Sequence, residues 1–337
     1  MDFALAEEQQ DVVAAFDQVL SKVSSIERVR AVESSGWDAA VWESLVQVGA
    51  PDFVGADPDA EQGRAVELAL TAELLGRHLA CVPFVGFAAA REVLRETGPA
   101  ASDVDGSAPD RIAVFTPRPA DRGVAPVVAG GAVAAALIVL DGDELLLVRD
   151  AQPAPVQDIG FQGAATWRVQ GDGVERTVLA TGESARQAWE RGLAWWRIGA
   201  GAQSVGIAQR ALEIAVEYAK VREQFGVPIG SFQALQHSLA EVLLEAEGAR
   251  HFVRETAWRA DQGSSGWEPL AAAAYAFAAE AATRAAERCL HVHGGYGYTL
   301  DYDAQLYLRR AKAIQLQGGE HDDIWTAVGA ATMAGEI

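Results

Sequence analysis

The spacing of apolar residues predicts helices over the first part of the chain, residues 1 to about 107. In the segment LAEEQQDVVAAFDQVLSKV, the apolar residues at helical intervals are Val12, Val13, Phe16, Val19 and Leu20. The segment AVELALTAELLGRHLA repeats the pattern, and FVGFAAAREVLRETG ends at a glycine, as helices commonly do. We therefore predict an N-terminal helical domain, residues 1–107, that ends in a Gly-, Pro-, Ser- and Asp-rich linker from Gly98 to Asp110.

The pattern changes to short apolar or alternating runs between Arg111 and about Gly182. These runs are RIAVF, AALIVL, ELLLVRD, ATWRVQ and ERTVLA, and turn residues such as DGDE separate them. Short runs bounded by Gly and Asp are typical of antiparallel strands. The sequence thus predicts a small middle β domain, residues 108–182, with Trp167 in its core.

Helical spacing returns after residue 182 and continues to the end of the chain. One apolar stripe consists of Val205, Ala208, Leu212, Ala215 and Ala219. A second consists of Leu235, Leu239, Val242, Ala246, Ala249 and Val253. The segments LAAAAYAFAAEAATRAAERCL and DAQLYLRRAKAIQLQ complete a predicted antiparallel four-helix bundle, residues 183–337. The predicted fold class is α+β, mostly α.

Charge and cysteine content exclude several classes of function. The chain has 337 residues, of which 47 are acidic and 27 basic, and its net charge is -20. An acidic protein is a poor ligand for nucleic acid or for an anionic membrane surface, and no apolar run approaches the roughly 18 residues of a membrane span. Cys81 and Cys289 lie far apart, so we expect buried thiols in a reducing cytoplasm and no metal site. The acidic start, MDFALAEEQQ, lacks the pattern of a signal peptide, which also favours a cytoplasmic location.

Two motifs resemble a known family. The first is YAKVREQFGVPIGSFQALQHSLAE, which begins at Tyr218, and the second, about seventy residues later, is HVHGGYGYTLDYDAQLYLRRAKA. Together with the order helix, β, helix, they resemble the acyl-CoA dehydrogenases over nearly the whole chain. The resemblance implies an N-terminal helical domain, a middle β domain and a C-terminal four-helix bundle.

The resemblance also implies FAD bound across a subunit interface. The residues that it assigns to the cofactor are Arg222, Phe225, Gln233, His291, Gly294 and Gly295. Arg222 would contact the pyrophosphate, since a guanidinium offers a planar fork of donors to phosphate oxygens. The paired glycines lack the Cβ atoms that would block close approach of a dinucleotide. His291 stands where the family usually has Gln, and we expect His237 and His293 to be buried packing residues.

The family's catalytic base is not found at the matching positions. The base is a carboxylate that takes the α-proton of an acyl thioester, and the resemblance places it at Gly318 or, in other members, at Gln262. We therefore assign no catalytic residue to this chain. The nearby carboxylates that could act as displaced bases are Glu320, Asp261 and Glu268. Glu320 and Asp322 would also repel the pyrophosphate of a flavin seated in this chain.

The middle domain departs from the family as well, because it lacks a Thr-Glu-x-x-x-Gly-Ser-Asp-like run and a Trp-Ile-Thr-Asn-like run. The combination of retained cofactor motifs with a missing base and missing middle-domain runs resembles the short, degenerate subunits of α2β2 acyl-CoA dehydrogenases in actinobacterial steroid catabolism. The leading hypothesis is a non-catalytic subunit that lends FAD-binding residues to a catalytic partner, with a bulky, steroid-derived acyl-CoA as substrate and an external electron-transfer acceptor. Two alternatives remain: a self-sufficient homotetramer with a displaced base, Glu320 or Asp261, and a cofactor-free scaffold. The retained Arg222, Phe225 and Gln233 argue against the scaffold.

Overall fold

The N-terminal region is helical, as predicted. A computed structural model describes residues 5–53, 64–98, 104–150 and 153–337, so part of the predicted linker lies outside the described residues. The helices of this region are α1 (Glu7–Val23), α2 (Ile26–Ala31), α3 (Ala39–Gln47), α4 (Ala65–Arg77) and α5 (Phe84–Thr97). Phe16 and Leu20 from the first predicted stripe are buried in the core.

The middle region forms two small sheets. Its strands are β1 (Ala113–Phe115), β2 (Val124–Val128), β3 (Ala136–Asp141), β4 (Glu144–Asp150), β5 (Ala154–Pro155), β6 (Ala165–Arg168) and β7 (Val174–Thr181). One sheet has the order β1-β3-β4-β7 and the other β2-β6-β5. The pairings are antiparallel except for β1 with β3, which is parallel. The apolar runs predicted five of these strands and missed β2 and β5.

The C-terminal region contains the four predicted helices and one more. Its elements are α6 (Gly182–Val221), the hairpin strands β8 (Glu223–Gln224) and β9 (Val227–Pro228), α7 (Gln233–Asp261), α8 (Trp267–His293), α9 (Ala304–Gln317) and α10 (His321–Ala334). A 3-10 turn, Gly294–Tyr298, follows α8. The sequence pattern did not predict α10, which buries only Ile324 and Ala331.

Helix α6 is the central element, because it packs against α4, α5, α7, α8, α9 and strands of the larger sheet. It has 40 residues and is about 60 Å long. Glycines allow α4 and α6 to cross in close contact: a Cβ on Gly206 would overlap the Glu73 carbonyl, and one on Gly76 would overlap that of Gln203. The buried hydrophobic residues form one continuous core that extends through all three regions.

A buried arginine ties α9 to two loops. The Arg310 guanidinium is 1% exposed and stacks on the Phe161 ring at 4.4 Å. It donates to the carbonyl oxygens of Gly160 at 2.7 Å and Ala80 at 3.1 Å, which lie in the β5–β6 loop and the α4–α5 turn. Carbonyl dipoles thus satisfy the buried cation, as burial of a charge requires.

Trp167 and both cysteines lie in the core of the protein. Trp167 is fully buried, as predicted, and its Nε1 donates to the Gly131 carbonyl oxygen at 2.9 Å. Cys81 and Cys289 are buried free thiols. Among the described helices, none is long and apolar enough to cross a membrane. The described residues also hold no group of three or more potential metal ligands.

Candidate functional site

The first candidate site is an exposed surface that we call the hairpin face, formed by residues 222–233 and 291–298. Arg222 ends α6, and its backbone carbonyl accepts a hydrogen bond from Ile229 N at 2.7 Å, which closes the β8–β9 hairpin. Tyr218, one turn earlier on α6, stacks on His293 with ring centroids 4.1 Å apart. This stacking holds the hairpin beside the 3-10 turn after α8. The two sequence motifs therefore meet in space.

Arg222 presents its guanidinium at the surface of this face. It lies 5.9 Å from the centroid of the Tyr296 ring and makes no ion pair with a carboxylate of the described residues. Many other arginines of this acidic chain do pair with carboxylates, for example Arg77 with Glu213 at 2.6 Å. An exposed, unpaired guanidinium is free to bind an external anion.

Phe225 is the most unusual residue of the hairpin face. Its backbone has φ +56°, in the left-handed region that aromatic residues rarely adopt, and its side chain is 95% exposed. Among the aromatic side chains that the structure describes, only Phe232 contacts the ring, edge to face at 6.2 Å. Strained backbone and an exposed aromatic ring both carry a free-energy cost in an isolated chain. The Phe225 ring is therefore accessible to a group outside this chain.

The paired glycines of the second motif also face open space. Gly294 has φ +61°, which favours glycine, whereas Gly295 is not restricted in this way. A Cβ on either residue would have no described atom within 4 Å. By contrast, a Cβ on Gly297 would come within 2.9 Å of the Leu290 carbonyl oxygen. Packing against Leu290 therefore explains why residue 297 is a glycine. No described atom would obstruct a Cβ at Gly295, so packing does not explain the glycine there.

The remaining predicted residues of this region have different environments. Gln233 begins α7 and is exposed, and His291 is exposed near the end of α8. His293 is buried, as predicted, with Nδ1 at 2.8 Å from the Cys289 carbonyl oxygen. The expectation that His237 is buried is wrong: it lies on the solvent side of the first turns of α7.

The second candidate site is the space between the sheets and the bundle, which we call the inner cleft. Its walls include Pro83, Phe115, Gly130, Trp196 and Gln317. The remaining cavity has a volume of about 30 Å³, roughly the volume of one water molecule in the liquid. Small-molecule sites usually measure about 300–1,000 Å³. In this conformation the inner cleft cannot hold a flavin ring or an acyl chain.

Polar contacts from the β region close the inner cleft over the end of α9. Arg118, in the β1–β2 loop, donates to the carbonyl oxygens of Leu316 at 2.6 Å and Gln317 at 3.2 Å. These are carbonyls of the last turn of α9, where a cation is also favoured by the helix dipole. The Gln317 amide donates to the Gln162 side-chain oxygen at 2.7 Å. The β1–β2 and β5–β6 loops are thus joined to the end of α9 across the inner cleft.

Tyr275 fills the space beside Gly318, the expected position of the base. A Cβ on Gly318 would overlap the Tyr275 ring and hydroxyl. The Tyr275 hydroxyl donates to the Ile314 carbonyl oxygen at 2.7 Å and accepts from Gly318 N at 3.2 Å. The ring is fully buried, 5.3 Å from that of Trp196, and burial raises the pKa of the phenol. The sequence pattern does not mark Tyr275 as a site residue, although it is the only tyrosine in an alanine-rich run.

Asp261, one of the displaced-base candidates, binds another helix. Its carboxylate accepts hydrogen bonds from the backbone N–H groups of Ala65 at 2.7 Å and Val66 at 3.0 Å, the first residues of α4. Burial raises the pKa of Asp261 to about 7, although these hydrogen bonds lower it. Such a pKa suits a general base, but the carboxylate here caps α4, and Asp261 does not line the inner cleft.

The other two candidates have separate environments. Glu268, in the first turn of α8, lies 3.7 Å from the Arg191 guanidinium. Glu320 is exposed at the start of α10, and its side chain makes no capping hydrogen bond. Neither residue lines the inner cleft. Gln262 is exposed just after α7, and Asp322 is exposed in the first turn of α10.

Comparison with known proteins finds relatives of this chain. Residues 186–332 match the family model "Acyl-CoA dehydrogenase, C-terminal domain". Acyl-CoA dehydrogenase IpdE2 of Mycolicibacterium smegmatis is 30% identical over 336 residues, which cover 95% of this chain and 97% of IpdE2. Probable acyl-CoA dehydrogenase YngJ of Bacillus subtilis is 44% identical over 123 residues, which cover only 36% of this chain and 32% of YngJ.

Solved structures match the whole chain. A variant of the steroid ACAD Tcur3481-Tcur3483 aligns with a TM-score of 0.86 and 25% identity, covering 98% of each chain. The ChsE4-ChsE5 complex from Mycobacterium tuberculosis aligns with a TM-score of 0.83 and 25% identity, covering 99% of each chain. A glutaryl-coenzyme A dehydrogenase shares the fold, with a TM-score of 0.86 at 19% identity.

Proposed function

Because the chain belongs to the acyl-CoA dehydrogenase family, we propose that it is the non-catalytic subunit of a heteromeric, FAD-dependent member. One observation carries this proposal. The inner cleft is closed, with Tyr275 packed where a side chain at Gly318 would lie, whereas the hairpin face is open and carries unpaired groups. A chain built in this way can contribute to a cofactor site in a neighbour without having a complete site of its own.

The residues of the hairpin face fit the nucleotide part of FAD. Arg222 supplies a cation for the pyrophosphate, and Phe225 supplies a ring that stays 95% exposed despite its edge contact with Phe232. Gly295 leaves room for close approach. The bound flavin of this family supplies the hydride acceptor for α,β-desaturation of an acyl-CoA thioester. Within this account, the partner subunit supplies the flavin-ring pocket and the carboxylate that takes the α-proton.

The names of two structural relatives support a proposal for the substrate class. One is described as a steroid ACAD and the other as a complex of two differently named chains, ChsE4 and ChsE5. We therefore propose an α2β2 assembly that acts on a bulky, steroid-derived acyl-CoA. A self-sufficient enzyme with a displaced base is less well supported, since Asp261 caps α4 and Glu320 lies outside the inner cleft.

Co-expression tests the division of labour. The chain is purified alone and together with a candidate catalytic subunit, and both preparations are assayed for flavin absorbance and for desaturation of a steroid-derived and a straight-chain acyl-CoA with an artificial electron acceptor. We expect no flavin and no activity from the chain alone, and both from the complex. An active, yellow preparation of the chain alone would support the self-sufficient enzyme, and a colourless complex would support the scaffold.

Substitution of Arg222 tests its assigned contact. Loss of a charge-assisted contact costs about 1.5–3 kcal/mol, so we expect Arg222→Ala to weaken FAD retention by the complex about 10- to 100-fold. Arg186→Ala is the matched control, because Arg186 is exposed on α6, pairs with Asp143 and lies far along the helix from the hairpin face. Equal FAD retention by the two variants would contradict the role of Arg222.

A further inference from the structure

The outward face of α7, which we call the α7 face, carries apolar side chains where a surface helix usually carries polar ones. The opposite face of the helix is buried in the bundle. The residues along the centre of the α7 face are three or four apart in the sequence, and they are Ala240, Leu244, Gly248, His251, Glu255 and Trp258. Leu244 is 74% exposed and Trp258 is 48% exposed. Two large apolar side chains therefore reach solvent on a helix whose inner face is already packed.

The α7 face is electrically neutral, although the chain as a whole is strongly acidic. Residues 244–259 contain three glutamates and three arginines, whereas the net charge of the chain is -20. The three glutamates each pair with an arginine of the same chain, and these pairs are Glu245–Arg284, Glu247–Arg250 and Glu255–Arg259. Net charge of one sign makes copies of a protein repel each other. On the α7 face two copies can approach without that repulsion.

The spacing of the two exposed apolar residues is self-complementary. Leu244 and Trp258 each lie seven residues from His251, so His251 is the midpoint between them. In a two-fold contact between identical chains, residue i of one copy meets residue j of the other, and the reverse also holds. Two antiparallel α7 helices with the axis at His251 therefore bring Leu244 of each copy against Trp258 of the other. Gly248, one turn from the axis, adds no side chain that would hold the helices apart.

We propose that two copies of this chain bind each other through the α7 face. This contact goes beyond the proposed function and needs no catalytic partner. Burial of Leu244 and Trp258 supplies favourable free energy for it. In the proposed α2β2 assembly, the hairpin face then meets the unlike subunit and the α7 face meets the like one. Only that last assignment rests on the proposed function.

Thiol cross-linking tests the register of the contact. His251→Cys places one thiol at the axis, and Leu244→Cys/Trp258→Cys in one chain places thiols on either side of it. We expect both variants to form covalent dimers of this chain, alone and in the co-purified complex, with a cross-linker that spans about 8 Å, a usual distance between packed helices. Leu244→Cys by itself is the matched control and should not cross-link, because its two copies would lie about 20 Å apart. Cys81 and Cys289 are buried and should not react.

A charge placed in the contact tests the proposal by mass. Leu244→Glu would bury a carboxylate against Trp258, and burial of an unpaired charge is strongly unfavourable. We expect association of the two copies to weaken about 100-fold or more, so the co-purified complex should separate into pairs of unlike subunits that keep their FAD. Sedimentation velocity measures the mass, and flavin absorbance measures the FAD. Met333→Glu is the matched control, because Met333 is 88% exposed on another helix, α10, and its complex should keep the full mass.

The outcomes separate this proposal from the proposed function. If the Leu244→Glu complex keeps its full mass, or His251→Cys does not cross-link, the proposal is overturned, and unchanged FAD retention would leave the division of labour standing. If Leu244→Glu releases this chain from the catalytic subunit, the α7 face binds the unlike chain and the proposal is wrong. If His251→Cys cross-links in a colourless complex, the contact between copies stands and the proposed function fails.

Discussion

On the hairpin face the chain exposes groups that packing usually buries or pairs. Around the inner cleft, by contrast, it buries its side chains and pairs their polar groups. Phe225 is 95% exposed on the former, and Tyr275 is fully buried beside the latter. Both regions involve α6: its C-terminal end at Arg222 lies on the hairpin face, and Trp196 in its middle lines the inner cleft. Under the proposed function, the difference teaches that a chain can keep a family motif without a cofactor pocket of its own.

The largest effect should come from removing the aromatic ring that fills the space beside Gly318. Tyr275→Ala deletes a fully buried aromatic ring and should lower the free energy of unfolding by about 3–5 kcal/mol. Tyr275→Phe, which removes only the hydroxyl bound to Ile314 and Gly318, should cost about 1 kcal/mol. Urea unfolding of both variants measures the difference. A loss below about 1 kcal/mol for Tyr275→Ala would show that the ring is not tightly packed in the space beside Gly318.

Restoring a carboxylate at the expected base position should also destabilise the fold. Gly318→Glu places a Cβ against the Tyr275 ring, and overpacking of this kind costs about 1–3 kcal/mol. Gly329→Glu is the matched control, since Gly329 lies in α10 with no described atom within 4 Å of its Cβ position. The control should be unchanged or slightly more stable, because glycine is a poor helix former. Equal unfolding midpoints for the two variants would contradict the closed cleft.

On the hairpin face, an added side-chain atom should leave the stability of the chain unchanged. Gly295→Ala adds a methyl group that meets no described atom, so the stability of the chain should not change. The same methyl group would obstruct a cofactor approaching from outside, and we expect FAD binding by the complex to weaken about 10-fold, or about 1.4 kcal/mol. Thermal unfolding of the chain alone and flavin titration of the complex separate the two effects. Unchanged flavin affinity would remove Gly295 from the proposed cofactor surface.

A smaller, pH-dependent effect should mark Asp261 as a structural residue. Its pKa is raised from 3.8 to about 7 in the fold, so the folded chain holds a proton that the unfolded chain releases between about pH 4 and pH 7. The contribution of Asp261 to the free energy of unfolding therefore falls as pH rises through this window. Asp261→Asn keeps an oxygen acceptor for α4 and removes the ionisable group, so the free energy of unfolding of this variant should fall less over the window.

Urea unfolding at about pH 5 and about pH 8 measures this difference. Asp322→Asn is the control, because Asp322 is exposed in the first turn of α10 and should show the pH dependence of the unsubstituted chain. Should Asp261→Asn show that same dependence, the carboxyl group would not be the source of the effect.

The hairpin face could be predicted from the sequence because most of it is contiguous. Arg222, Phe225 and Gln233 lie within twelve residues, where local turn geometry fixes their relation. The inner cleft could not be predicted in this way. Its closing contacts join Arg118 to Leu316 and Gln162 to Gln317, pairs separated by 198 and 155 positions, so only the folded chain brings them together.

The elements that the pattern missed have weak or interrupted signals. Strand β2 contains Pro126 and shifts register between Ala125 and Val128, so it lacks a regular alternation. Strand β5 has only two residues. Helix α10 buries Ile324 and Ala331 alone, which gives no apolar stripe to detect. Tyr275 was overlooked because an isolated tyrosine in an alanine-rich helix is compatible with many packing arrangements.

The count of flavins in the intact assembly tests the central claim most directly. Native mass spectrometry of the co-purified complex measures the mass of the assembly with FAD bound, and the same measurement on this chain alone serves as the reference. We predict one FAD for each pair of unlike subunits and none on the chain by itself. Two FAD molecules per pair, or FAD retained by the isolated chain, would mean that the inner cleft opens to hold a flavin of its own.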